Sequence, residues 1–168
     1  MMRWGLIPQW AKDEKIGYKL INTRSESVFE KPMWKSIITK NRCLIPANGF
    51  YEWQRTTDGK QPFFIRPKDK ELIMFAGIWE TWRHDDKLWH TYSILTTTPN
   101  KEMLSIHDRM PVILHHKNHD QWLGASTNDD IEPLLIPYSD DGLDVIEVST
   151  DVNTVKTNNA SLILPVTS

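Results

Sequence analysis

Cysteine is nearly missing from this 168-residue chain, with Cys43 the single example. One thiol excludes an intrachain disulfide and any multi-cysteine zinc or iron–sulfur centre, and it fits a reducing, cytoplasmic setting. No run of 18 apolar residues occurs, and the N-terminus lacks a signal-peptide apolar core, so the sequence points to no membrane partner. Only 7 glycines are present and none forms a Walker or Rossmann phosphate loop. Internal repeats, low-complexity tracts and linkers are absent as well. The length is therefore read as one domain, residues 1–168.

What is present describes a foldable chain. Hydrophobic residues make up 39% and charged residues 25%, enough apolar material for a core. Tryptophan is abundant, at 8, a ring that fills cores and also offers stacking platforms to bases. The net charge of -2 conceals an asymmetry. Residues 1–84 carry 15 Lys and Arg against 9 Asp and Glu, a balance of +6, whereas residues 85–168 carry 5 against 13, a balance of -8. A basic front half suits a phosphate-facing surface, although lysines scattered over a solvated face produce the same count.

The apolar spacing of Val28, Phe29, Met33, Trp34, Ile37 and Ile38 predicts a helix over residues 25–40, capped at Ser25 or Ser27, with Pro32 starting its second part. Residues 42–47 and 50–55 flank Asn48-Gly49 and predict a hairpin. Strands are expected at residues 62–66, 72–80 and 89–97, bounded by turns such as Asp58-Gly59, so the middle of the chain reads as a β meander. Residues 100–104 suggest a short helical turn. Residues 110–114 suggest a strand, residues 117–123 and 130–135 helices, and residues 143–149 a closing strand. Strands with inserted helices, without βαβ alternation, predict an α+β fold with a mostly antiparallel sheet or partly closed barrel and helices around it.

Polar groups set among apolar strand residues are candidates for chemistry, because burying them without a partner is costly. Glu52 shares a strand face with Phe50 and Gln54 between Tyr51 and Trp53, which should raise its pKa and suit it to general-acid work; the alternative is a carboxylate on the solvent face of an edge strand. His107 lies in a loop entering a strand, where an imidazole can shuttle protons. Asn22 could orient a substrate or amine, or form an Asx turn or cap at the next helix. Arg24 and Arg109 offer planar forks for phosphate, or for structural ion pairs. A thiol hydrolase built on Cys43 and His107 is the less favoured option, since a cysteine in an apolar strand is usually a small core residue. His115 and His119 form an i, i+4 pair, yet no acidic or cysteine ligand stands nearby, so neither a metal nor another cofactor is expected.

Five motifs in order go further: Arg3-Trp4-Gly5-Leu6-Ile7-Pro8-Gln9-Trp10, Ile21-Asn22-Thr23-Arg24-Ser25-Glu26, Arg42-Cys43-Leu44-Ile45-Pro46-Ala47-Asn48-Gly49-Phe50-Tyr51-Glu52-Trp53, Gln61-Pro62-Phe63-Phe64-Ile65 and Ile106-His107-Asp108-Arg109-Met110-Pro111. Together with Ile94-Leu95-Thr96-Thr97 and Val152-Asn153-Thr154-Val155, they closely resemble the SOS-response-associated peptidase (SRAP) family, the abasic-site processing proteins, over essentially the whole chain. The resemblance implies binding to single-stranded DNA at abasic sites and a covalent thiazolidine between the opened sugar aldehyde and an N-terminal cysteine exposed by removal of the initiator methionine. It also implies self-processing peptidase and lyase chemistry in DNA damage repair, in a cytoplasmic protein associated with the nucleoid when bound to DNA. By the same resemblance Asn22 would hold the terminal amine, Glu52 and His107 would move protons, Arg24 and Arg109 would contact phosphates, and Trp10 would lie beside the DNA.

One departure matters. Family chains begin Met-Cys-Gly-Arg and carry a few tens of residues ahead of the Arg-Trp-Gly motif, whereas here that motif begins at Arg3 behind Met1-Met2, and Cys43 matches an interior strand position. The retention of Asn22, Glu52 and His107 as a set favours a chain truncated at its N-terminus over a variant that has lost covalent capture. A non-covalent single-stranded-DNA-binding module and a thiol peptidase using Cys43 and His107 stand as the alternatives.

Overall fold

A computed structural model describes residues 1–69 and 71–166. Its strands are β1 Arg3–Trp4, β2 Asn22–Arg24, β3 Arg42–Ala47, β4 Phe50–Thr56, β5 Gly59–Pro67, β6 Ile73–His84, β7 Lys87–Thr97, β8 Met110–Pro111 and β9 Leu143–Glu147, with α-helices α1 Pro32–Lys40, α2 His119–Gly124 and α3 Asn128–Ile131. β1, β2, β3, β6, β7 and β8 form one sheet; β4, β5 and β9 form a second. The α+β expectation holds, and pairing among β3 to β9 is antiparallel. β1 and β2 depart from it, running parallel to β7. No helix among the described residues is long and apolar enough to cross a membrane.

The six-stranded sheet is buried on both faces, which explains why β6 reads as a nearly continuous apolar run. Successive strand residues point to opposite faces. Ala76 and Ile78 of β6 and Leu95 of β7 join Trp34, Ile37 and Ile38 of α1, Trp122 of α2 and Ile131 of α3 in one cluster. Ile73 and Phe75 of β6 and Ile94 of β7 face the other way and join Ile65 of the second sheet, Met103, Ile106 and Met110. Arg42 locks the helical layer on: its guanidinium donates to the carbonyls of Ile38, Trp122 and Ala125, and the Trp122 indole N–H donates to the Cys43 carbonyl at 2.9 Å.

Several expectations require correction. The helix over residues 25–40 is broken: Ser25–Ser27 is a 3-10 turn, and α1 starts at Pro32 behind an extended Lys31. Lys31 precedes proline, whose ring disfavours helical geometry in the residue before it, and neither Ser25 nor Ser27 caps α1. The hairpin across Asn48-Gly49 does not form. β3 pairs with β6, β4 pairs with β5, and the two strands flanking the glycine lie in different sheets. Gly49 lacks the positive φ of a type I′ turn. It is small for another reason: a Cβ there would meet the Ile65 carbonyl and lie 2.5 Å from the Phe64 ring. The meander is broken likewise, since β5 pairs with β4 and β9 and β6 with β3 and β7.

The real two-residue turn is Thr57-Asp58, closed by Gly59 at φ 140 opposite Thr56. Residues 100–104 make hydrogen-bonded turns without a named helix, with the Asn100 side chain accepting from the Met103 N–H. Of residues 110–114 only Met110–Pro111 is strand. That segment runs between diverging partners, its Val112 N–H donating to Leu95 of β7 and its Val112 carbonyl accepting from Ala76 of β6. Strands β5, β6, β7 and β9 and helical segments near residues 117–123 and 130–135 fall where expected.

The crossing at Gly49 yields a prediction. Gly49→Ala should destabilise the fold by about 1–3 kcal/mol, the cost of forcing a methyl group into a packed contact, read as a lower urea midpoint with unchanged slope.

Candidate functional site

β7 sets the site by pairing with different partners on its two edges near one end. β2 runs beside it with Asn22 opposite Ile94 and Arg24 opposite Thr96, while β8 brings Pro111 opposite Thr96 from the other side. Within β2 the middle residue is the anchor: Thr23 is buried, and its hydroxyl lies 2.9 Å from that of Ser93. Alternation therefore turns Asn22 and Arg24 outward on one face. Both line a cleft of about 240 Å³ with Glu52, Thr96, His107, Arg109, Met110 and Pro111. The structure thus brings together Asn22, Arg24, Glu52, His107 and Arg109 from separate stretches of the chain.

Glu52 reaches this cleft from β4, an edge strand of the second sheet. Phe50, on its strand face, packs into the cluster between the sheets, and Gln54 donates to the Ser105 carbonyl at 2.8 Å, tying the strand to the loop that carries His107. Burial raises the Glu52 pKa above that of an ordinary glutamate; the His107 charge pulls it down and Asp108 pushes it up. His107 is half-exposed. Its Nδ1 accepts from the Arg109 backbone N–H at 3.1 Å and lies 3.2 Å from Asp108 Oδ1. With Nδ1 engaged, Nε2 is the nitrogen left to exchange a proton with a ligand.

The two arginines are used differently. Arg109 is mostly buried and clasps Glu26 with both forks, at 2.8 and 2.9 Å, while also donating to the Thr96 carbonyl. This clasp is the main reason the Glu26 pKa falls. Arg24 makes no ion pair with the described residues, and its guanidinium is exposed at the cleft. Sequence reasoning misses Glu26 as part of this site; its place two residues after Arg24, in the same motif, is the one signal that could reveal it.

The other candidates lie elsewhere. Trp10 is 66% exposed but lines a separate cleft with Pro8, Pro32, Met33 and the buried Glu80. Cys43 faces β6 opposite Gly77, shares no cleft with His107 among the described residues, and burial pushes its thiol up to about 11. A thiol so far from ionisation is a poor nucleophile at neutral pH. His115 stacks on Tyr138 and lies 2.9 Å from the Ser139 hydroxyl, and His119 lies 3.2 Å from the Leu114 carbonyl. Among the described residues no group of three acidic, histidine or cysteine side chains is placed to hold a metal ion.

The burial of Glu52 has a pH signature. A carboxyl whose folded pKa is raised costs nothing below its unfolded pKa and destabilises the fold progressively as pH climbs through the folded value. Glu52→Gln should therefore raise Tm at pH 7, with the gain vanishing below about pH 4, the ordinary glutamate range. A lower Tm at pH 7 would show that the His107 attraction dominates. Cys43→Ala should cost about 1–2 kcal/mol in packing, read as a lower urea midpoint, and leave the fold intact by circular dichroism.

Comparison with known proteins identifies the family. A family model described as SOS response associated peptidase (SRAP) matches residues 1–155. The abasic site processing protein YoaM of Bacillus subtilis is 46% identical over 96% of this chain and 73% of its own length. The abasic site processing protein HMCES of Gallus gallus is 31% identical over 98% of this chain and 56% of its own length. A crystal structure of a protein from Bacteroides thetaiotaomicron superposes with a TM-score of 0.91 at 30% identity, over 98% of this chain and 75% of that one. On the family match and these relatives, the chain belongs to the SRAP family.

Proposed function

We propose that this chain acts on abasic sites in DNA, binding them in single-stranded form in the cleft between β2 and β4. The carrying observation is that Asn22, Glu52 and His107, from three separate segments, line one cleft beside the exposed Arg24. A ring-opened abasic sugar is a small aldehyde between two phosphates. Arg24 supplies a cation for a phosphate, and Asn22 supplies an amide that can hold an amine or a sugar hydroxyl. Arg109 has its charge offset by Glu26 and, bonded to Thr96 as well, holds the loop that carries His107.

The proton chemistry is built on the carboxyl and the imidazole. Opening the sugar hemiacetal needs a proton delivered to the ring oxygen and one removed from the anomeric hydroxyl. Glu52, whose burial keeps it protonated to higher pH than a solvated glutamate, is suited to the first, and Nε2 of His107 to the second. In a family chain with an N-terminal cysteine, the amine nitrogen would then add to the aldehyde carbon and water would leave. The thiol sulfur would add to the resulting imine carbon and its proton would pass to nitrogen, closing a thiazolidine. Cys43, half-buried opposite Gly77 with its thiol pushed up to about 11, is an interior-strand residue poorly suited to supply that thiol.

One experiment separates binding from capture. This chain, and a version extended upstream to begin Met-Cys-Gly-Arg, would each be incubated with single-stranded DNA bearing one abasic site and run on a denaturing gel. A covalent band with the extended version alone is the expected outcome. No band with either discards the crosslinking step and leaves a non-covalent binding module, and a band with this chain places the nucleophile elsewhere. In parallel, Arg24→Ala should reduce the salt dependence of binding by about 0.7 in log–log slope, as loss of one single-strand phosphate contact does. An unchanged slope would remove Arg24 from the interface.

A further inference from the structure

Among the described residues the Asn22 cleft and another opening both reach Glu52 and His107. The other, about 400 Å³, is lined by Trp53, Arg55, Lys60 and Asn153 together with Glu52 and His107. It lies along the β4–β5 hairpin and shares Glu52 and His107 with the first cleft, but neither Asn22 nor Arg24. Its walls are organised: the Trp53 indole N–H donates to the Asn153 side-chain carbonyl at 2.8 Å, and Gln54 holds the hairpin to the loop before His107.

Arg55 and Lys60 are the unusual pair. They stand directly opposite each other in the β4–β5 register, so two cations share one cross-strand position. Like charges so placed are destabilising, and nothing internal offsets them: neither side chain makes an ion pair or a side-chain hydrogen bond among the described residues. Both are exposed and line the same opening. A repulsive pair facing an open groove is explained by an anion that comes from outside.

We propose that Arg55 and Lys60 form a second backbone-binding arm, which holds the phosphates of the single strand on one side of the abasic nucleotide while Arg24 holds the other side. The inference rests on the reading that the cleft binds single-stranded DNA, and it gives that reading a path. The strand enters along one opening, presents its abasic sugar to Glu52 and His107, and leaves along the other. The indole face of Trp53 stands beside this arm where a neighbouring base can stack.

The test uses a fluorescent oligothymidylate carrying a tetrahydrofuran abasic analogue, which has no aldehyde and so reports binding alone. The probe is made in three forms, flanked on both sides, only 5′ or only 3′. Arg55→Gln/Lys60→Gln should lower the salt slope by about 1.4 on the fully flanked probe, two single-strand phosphate contacts at about 0.7 each. Its affinity loss should concentrate on one single-flank probe, with the loss from Arg24→Ala concentrated on the other. Tm should hold or rise, because a repulsion is removed. A wild-type slope in the double variant, or equal loss on both single-flank probes, overturns the arm while leaving DNA binding intact. Failure of the unmodified chain to bind any probe overturns the DNA reading itself, and the arm with it.

Discussion

Backbone pairing along β7 is the constraint on which the rest of the molecule depends. An interior strand has two edges, and β7 uses both along much of its length: β6 and then β8 lie on one side, β1 and β2 on the other. Because β6 diverges after Gly77 pairs with Ile94, a place opens beside the end of β7, and residues 110–114 fill it by bonding to both strands. That insertion fixes where His107 and Arg109 must emerge. The parallel approach of β2 on the opposite edge fixes Asn22 and Arg24 at the same level. The cleft is thus a consequence of how two short strands share one long one, and the Arg109–Glu26 clasp joins the segment just after β2 to the one just before β8.

The second sheet completes the site from across the interior. Its edge strand β4 carries Glu52 into a region that penalises charge, while His107 on the facing loop supplies the compensating attraction. The two groups are poised against each other by position. Desolvation favours a neutral carboxyl, and the charge of His107 nearby favours an ionised one.

Legibility in the sequence varies with the range of the interaction involved. Strand identity along β5, β6, β7 and β9 is readable because alternation and β-branched content are local. The partners are not. Asn48-Gly49 has the composition of a hairpin turn, yet glycine there answers a tertiary demand, the approach of Phe64 and Ile65 from another strand. The helix break before Pro32 is contained in the proline rule itself, and apolar spacing that merely continues through the break conceals it. At the site, Asn22, Glu52 and His107 are readable as polar residues in unusual company. The Glu26 partner of Arg109 is legible only as a neighbour of Arg24 in one motif, since a pairing across 83 positions does not itself show in local pattern.

The charge asymmetry of the sequence suggests a footprint for phosphate, and the structure narrows that idea considerably. Much of the basic front half does other work: Arg42 binds carbonyls of the helical layer, Arg3 lies over the rings of Tyr18 and Trp89, and Arg66 faces Asp144. Among the described residues of that half, Arg24, Arg55 and Lys60 are the cations that line the openings at Glu52 and His107. What distinguishes them is that none makes an ion pair among the described residues, Arg24 acting on Glu26 only at longer range, rather than their number or sequence neighbourhood. A cation held where the fold gains nothing from it is a sharper indicator of an anionic partner than the charge of the half-chain it belongs to.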